Sequence, residues 1–205
     1  MATLVHNRPK KPNQPLNVFE DLSATPRYHL FDLFGVRVEA TSYAWLSYIS
    51  MLSPALVLAY LFYPQSSTAE LIVRTVGWAI LLWSSLWIHS IGHIVSGKIA
   101  GSVMDRLLIT ATRQLTLYDG DQEKIPARVH ITRALGGPVG NVLVGLVGVI
   151  LMVRYGMLPA LLVFTLPNLA GISALAPVES VDGGTIAHYL GREWVKQRAP
   201  SGRPD

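Results

Sequence analysis

The sequence has no cysteine. Disulfides, thiol nucleophiles and thiolate metal ligands are therefore excluded, and any bound metal must be held by His, Asp or Glu. Charge is also sparse, at 15% of 205 residues, while 50% are hydrophobic. Its placement matters more than its total: no Asp, Glu, Lys or Arg occurs within residues 40–69, 75–97, 134–153 or 155–178. A soluble core helix rarely runs so long without a charge, whereas a bilayer core about 30 Å thick needs roughly 20 apolar residues at about 1.5 Å rise each. The net charge of +4 does not call for a nucleic-acid partner, because the basic residues follow a membrane-orientation pattern.

The four intervals predict a mainly α, polytopic membrane protein with transmembrane helices at about 42–63, 75–97, 134–153 and 157–176. Tyr43, Trp45, Tyr60 and Tyr63 lie near the ends of the first span as interfacial anchors, and Ser66, Ser67 and Thr68 form a short turn after it. Of the 17 Lys and Arg residues, only Arg74 and Arg154 fall on the side opposite the rest. The positive-inside rule then places both termini in the cytoplasm, with the cell membrane as the expected location. The first forty residues are too polar for a secretory signal, so the first span is expected to be retained.

This divides the chain into an amino-terminal cytoplasmic tail and membrane-surface segment (1–41), a membrane domain (42–191) and a carboxyl-terminal cytoplasmic tail (192–205). Residues up to 25, with Pro9, Lys10, Lys11, Pro12 and Pro15, read as disordered or extended. Residues 28–38 mix apolar and charged side chains, which suits either a membrane-surface segment or a plain packing segment. Between spans two and three, Leu107, Ile109, Ala111, Leu115 and Leu117 alternate with more polar neighbours. Asp119, Gly120 and Asp121 read as a turn, and Arg128, His130 and Thr132 alternate with Val129 and Ile131. The pattern predicts a small β-hairpin or sheet, which must lean on the helices because it cannot form a large core of its own.

Span two carries His89 and His93, four residues apart on one helix face, a spacing that lets two imidazoles hold one zinc ion. Ionisable groups at membrane depth mark a site or a water-filled cavity; a hydrogen-bonded packing pair is the plainer alternative. Ser85 and Ser96 fall on or near the same face. Pro177 ends span four, Gly183 and Gly184 permit a tight turn, and Asp182 offers a carboxylate, or else an ordinary helix cap. Spans two and four end on the same side, so His89, His93 and Asp182 can meet there. Two histidines and one carboxylate form a catalytic-type zinc set with one position open. At the start of span three, Gly137, Asn141, Gly145 and Gly148 make a small-residue stripe that permits close helix approach, and the Asn141 amide needs a polar partner.

Taken in order, His89-Ser90-Ile91-Gly92-His93, then Gly137-Pro138-Val139-Gly140-Asn141, then Pro177 with Asp182 and Gly183 resemble the three motifs of the site-2 protease family of intramembrane zinc metalloproteases: His-Glu-x-x-His, Gly-Pro-x-x-Asn and Asn-x-x-Pro-x-x-x-x-Asp-Gly. The resemblance covers roughly residues 75–191. It implies zinc held by His89, His93 and Asp182, a core of spans two to four, and a small sheet near the site. It also implies structural or substrate-binding roles for Gly137, Pro138, Asn141, Pro177, Gly183 and Gly184.

Two positions depart from the family pattern: Ser90 stands where the family has its glutamate, and Ala174 stands three residues before Pro177 in place of asparagine. In a zinc hydrolase the glutamate carries a proton from the attacking water to the leaving amine, and a serine hydroxyl is too short and too weak a base for that. The expectation is a catalytically impaired protein that acts as a binding, assembly or regulatory subunit, with zinc retained or lost. Its expected partners are membrane lipid and a membrane protein or transmembrane peptide. The alternative is a working protease with a substitute base such as Glu179, three residues before Asp182.

Overall fold

The computed structural model describes residues 22, 25–156, 158–178 and 181–198. The tail expected up to residue 25 lies almost wholly outside the described residues, as do Glu179 and the last seven residues of the chain.

Among the described residues, three helical segments are long and apolar enough to cross a membrane, which points to an integral membrane protein. The first, Trp45–Phe62, is built from α1 (Trp45–Ile49) and α2 (Leu52–Phe62). The helix restarts where Pro54 can occupy the first turn of α2, since no intrahelical donor is needed there. The second is α3 (Thr68–Ile99), which is 32 residues long. Its start is fixed by a capping box: the Ser67 N–H donates to Glu70 Oε2 at 2.9 Å, and the Glu70 N–H returns to Ser67 Oγ at 3.4 Å. The third is α4 (Ala127–Tyr155), closed by Gly156 in the left-handed conformation at φ 65°. Exposed side chains such as Ile80, Leu61, Val147 and Ile150 are then ordinary lipid-facing positions.

Residues 157–176, expected as a fourth span, form the shorter α5 (Leu158–Ala170) followed by a tight 3-10 turn at Gly171–Leu175. Pro167 lies inside α5 and Gly171 follows it, so a long uninterrupted helix is disfavoured here. α5 runs antiparallel to α4. The small-residue stripe makes the contact, with Gly148 against Thr165, Gly145 against Leu169 and Asn141 against Gly171. The last helix, α6 (Asp182–Arg198), continues in the same direction beside the first turns of α4, where the rings of Tyr189 and His130 stack at 3.8 Å.

The sheet has four strands, β1 (Arg27–Leu33), β2 (Val36–Thr41), β3 (Arg106–Ile109) and β4 (Gln114–Leu117), in that spatial order. Only the β3–β4 half comes from the segment between the second and third helical segments. The other half is residues 28–38, whose undecided reading resolves into a hairpin turned at Phe34 and Gly35, with φ of 52° and 82°. β2 and β3 pair in parallel because the whole of α3 lies between them in sequence. Their inner face, Val36, Val38, Ala40, Leu107 and Ile109, packs with Met104 on Ile94 and Trp87 of α3.

The expected second strand at Arg128, His130 and Thr132 is instead the first two turns of α4, preceded by a short 3-10 turn at Gln122–Lys124. Over so short a run the alternation of Val129 and Ile131 is outweighed by a longer helical period. Ala127, His130, Ala134, Gly137, Pro138, Asn141, Gly145 and Gly148 are all buried on one α4 face.

Candidate metal centre

His89 and His93 are one turn apart on α3, and Asp182 is the first residue of α6. The three converge. His89 Nε2 and His93 Nε2 are 3.0 Å apart, His89 Nε2 is 3.0 Å from Asp182 Oδ2, and His93 Nε2 is 3.3 Å from Asp182 Oδ1. Among the described residues this is the one group of His, Asp or Glu side chains gathered tightly enough to hold a metal ion.

His93 Nδ1 lies 2.7 Å from the Arg133 carbonyl oxygen and must carry the proton it donates there. A neutral His93 then presents a lone pair at Nε2, facing a second imidazole nitrogen and a carboxylate. Such a group is held together either by protons shared with the Asp182 carboxylate or by a bound metal ion, and its edges are close to the roughly 3.4 Å expected between ligands of a tetrahedral ion at about 2.1 Å each. His89 gives a second indication. Its Nδ1 is 3.5 Å from Asn141 Nδ2, while Asn141 Oδ1 is buried with no partner. Turned by 180°, the amide accepts a proton from Nδ1 and leaves His89 Nε2 free for a metal. Glycine is also required at 137, because a Cβ there would lie 2.5 Å from both Nε2 atoms. The residues fit a metal held by His89, His93 and Asp182.

The remaining expected positions sort by what they touch. Gly183 is buried against the carbonyls of Leu175 and Ala176, where no side chain could fit. Pro138 is buried inside α4, and lacking an N–H it cannot bond the Ala134 carbonyl four residues back. Pro177 is exposed in the bend after the 3-10 turn, and Gly184 sits half-buried in the first turn of α6. Ser90 is 3% exposed and donates its hydroxyl to Oε1 of Gln114 on β4. The Gln114 Nε2 is buried without a partner. Ser85 and Ser96 are buried on α3, and Ser96 Oγ reaches the same Arg133 carbonyl at 3.2 Å.

Arg133 itself was not legible as a site residue. Its guanidinium is buried, and it donates to Ser102 Oγ at 3.0 Å, to Gln122 Oε1 at 2.9 Å and to His130 Nδ1 at 2.7 Å, while lying 4.0 Å over the Tyr118 ring. Among the described residues no carboxylate pairs with it. The side chain therefore ties both ends of the segment between α3 and α4 to the helical turn whose carbonyl orients His93. Burial pushes the Tyr118 phenol above its ordinary value, and the Arg133 guanidinium partly offsets this. Asn168, fully buried in α5, is a second unforeseen polar group; it donates to the Phe164 carbonyl at 2.8 Å.

A sheet-flanked bundle of apolar helices thus brings His89 and His93 of one helix and Asp182 of another together at one candidate metal centre. The chain is similar in structure to the site-2 protease from Methanocaldococcus jannaschii, at a TM-score of 0.54 and 22% identity, over 86% of this chain and 74% of that one. No protein-family profile matches the chain, and no curated protein matches it in sequence.

Proposed function

We propose that this chain is a site-2-protease-like membrane protein that holds zinc through His89, His93 and Asp182 but does not hydrolyse peptide bonds. It works as a binding, assembly or regulatory subunit for a transmembrane peptide or membrane-protein partner. The observation that supports this reading is the environment of Ser90. Its hydroxyl is buried and already donates to Gln114, and the carboxylate beside the imidazoles is Asp182, which faces both of them. Zinc in this set would supply a Lewis acid. Proton transfer must come from the protein, and loss of a positioned general base lowers rates by on the order of 10² to 10⁴.

The reading includes four crossings of the cell membrane with both termini in the cytoplasm. α5 and the 3-10 turn rise about 20 Å and about 10 Å, together close to the thickness of a bilayer core. The fourth crossing is then a helix broken beside the metal site, with the start of its 3-10 turn held against Asn141 of α4 at Gly171.

The test is peptide-bond hydrolysis on an unstructured transmembrane substrate. The wild type is expected to show none, and Ser90→Glu, best combined with Ala174→Asn, is expected to gain zinc-dependent cleavage. Cleavage by the unmodified protein that His93→Ala abolishes would contradict the proposal and would point to a substitute base such as Glu179.

A further inference from the structure

The group formed by His89, His93 and Asp182 is closed on one side by α4. The backbone of Gly137 lies so near that a Cβ there would be 2.5 Å from Nε2 of both histidines. At about 100° per residue around α3, Gly92 and Ser96 lie on one flank of the two histidines, and Ser90, Ile94 and Trp87 on the other. The contacts agree: Gly92 meets Gly136 and Ser96 reaches the Arg133 carbonyl, both on α4, while Ile94 and Trp87 pack on the sheet. Room for a further ligand is therefore on the sheet side, where Ser90 and its partner Gln114 stand.

Gln114 reaches this place by strand register. It pairs with Ile109 across β3 and β4, so its side chain shares the face on which Ile109 packs against α3. Its Oε1 accepts the Ser90 hydroxyl, and an ordinary bond of that kind sets this oxygen about 3.5 Å from Ser90 Cβ. A glutamate at position 90 would carry its carboxylate about as far, so the carboxamide fills that space from the strand. Its nitrogen is not used in the same way. Nε2 is buried with no partner although it carries two N–H groups. A buried donor left unpaired is costly, so an acceptor belongs beside it.

The charge nearby says which kind of acceptor. A divalent ion on two neutral imidazoles meets one carboxylate, Asp182, in this group, which leaves one positive charge in excess. Arg133 adds another: it is buried, its Nε has no partner, no carboxylate among the described residues pairs with it, and it lies over Tyr118 just beyond β4. Uncompensated positive charge in a buried site favours an anionic ligand over a neutral carbonyl. We propose that Gln114 is the recognition residue of this centre and that its ligand is a carboxylate, such as the terminal carboxylate of a peptide. Ser90 fixes the amide, and Nε2 donates to a carboxylate oxygen on the sheet side of His89, His93 and Asp182. Resting on the metal centre proposed above, this assignment makes Ser90 and Gln114 a device for holding a ligand rather than for hydrolysing one.

The test uses full-length protein in detergent, loaded with cobalt(II), whose visible absorption band reports changes in its ligands. With no cysteine in the chain, no thiolate band overlaps it. The probe is N-acetyl-leucyl-leucine, compared with its carboxamide. The acid should shift the band and bind about 10-fold tighter than the carboxamide or better. Gln114→Met, similar in size but without donors, should weaken binding of the acid about 10-fold or more, and Gln114→Glu should weaken it further because like charges oppose. Both variants should take up cobalt as the wild type does. No binding of the acid to the loaded wild type, equal binding of acid and carboxamide, or undiminished binding of the acid to either Gln114 variant overturns the proposal and leaves the metal centre standing. A wild type that takes up no cobalt, or a His93→Ala variant that takes up as much, overturns both.

Discussion

Replacing Gly92 by alanine probes the contact that holds the site together. Gly92 lies at a close approach of α3 and α4, opposite Gly136. A Cβ there would overlap the Gly136 carbonyl oxygen and lie 2.8 Å from its carbon. Carbon pairs settle at about 3.5–4.0 Å, so the helices must separate by about 1 Å. Neither contacting atom belongs to a side chain that could rotate away. Overpacking of this kind costs about 1–3 kcal/mol. The same displacement stretches the bond from His93 Nδ1 to the Arg133 carbonyl from 2.7 Å to about 3.7 Å, beyond hydrogen-bonding range, for about 1 kcal/mol more. A loss of about 2–4 kcal/mol is therefore expected, together with a metal affinity about 10- to 100-fold weaker because an oriented ligand has been released. Unfolding in mixed detergent micelles and chelator competition measure the two. Gly77→Ala is the control, since nothing lies within 4 Å of the added carbon; that change should be neutral or slightly stabilising. If Gly92→Ala matched the wild type in both stability and metal affinity, the close approach of α3 and α4 described above would be wrong.

Asn141→Leu should keep the bundle intact by circular dichroism and weaken metal binding by about 10- to 100-fold, because His89 loses the partner of its Nδ1. The raised pKa of Tyr118 favours the protonated form of the folded protein, so its contribution is complete below about pH 10, the ordinary tyrosine value, and is lost as pH rises through the folded-state value. Stability measured between about pH 8 and 11 should accordingly fall more steeply in the wild type than in Tyr118→Phe, and parallel curves would refute this. For orientation, cysteine placed at Gln65, in the turn between α2 and α3, should react with an impermeant thiol reagent in intact cells, and cysteine at Lys124 should not; the opposite pattern would reverse the assigned topology.

The parts of this site that were legible in the sequence are those with a strict local period. His89 and His93 are four residues apart on a helix that nothing interrupts, and Gly137, Asn141, Gly145 and Gly148 keep the helical spacing that lets α4 approach the histidines of α3 at Gly137 and α5 with its following turn at the other three. Asp182 was legible from the turn between Pro177 and Gly183 and from spans two and four ending on the same side, although a lone aspartate at a helix start is more often a cap. Arg133 and Gln114 were missed because their roles come from tertiary neighbours. The first acts on His93 through its own carbonyl, and the second reaches Ser90 from a strand 24 residues away. The start of α4 was read as a strand because alternation over Arg128–Arg133 mimics a two-residue period. The deciding signal was the buried face that continues from Ala127 and His130 to Asn141. The β1–β2 hairpin was obscured because its outer strand packs against so little of the protein, which leaves its residues without the one-sided alternation of an ordinary sheet.

Metal content of the purified, detergent-solubilised full-length protein tests the central claim most directly. The account predicts one zinc ion per chain in the wild type and in Ser90→Glu, and loss of zinc from His93→Ala and from Asp182→Ala with the helical content unchanged. A wild type that takes up no zinc even when it is supplied, or a zinc content that survives both substitutions, would contradict a metal centre built from His89, His93 and Asp182.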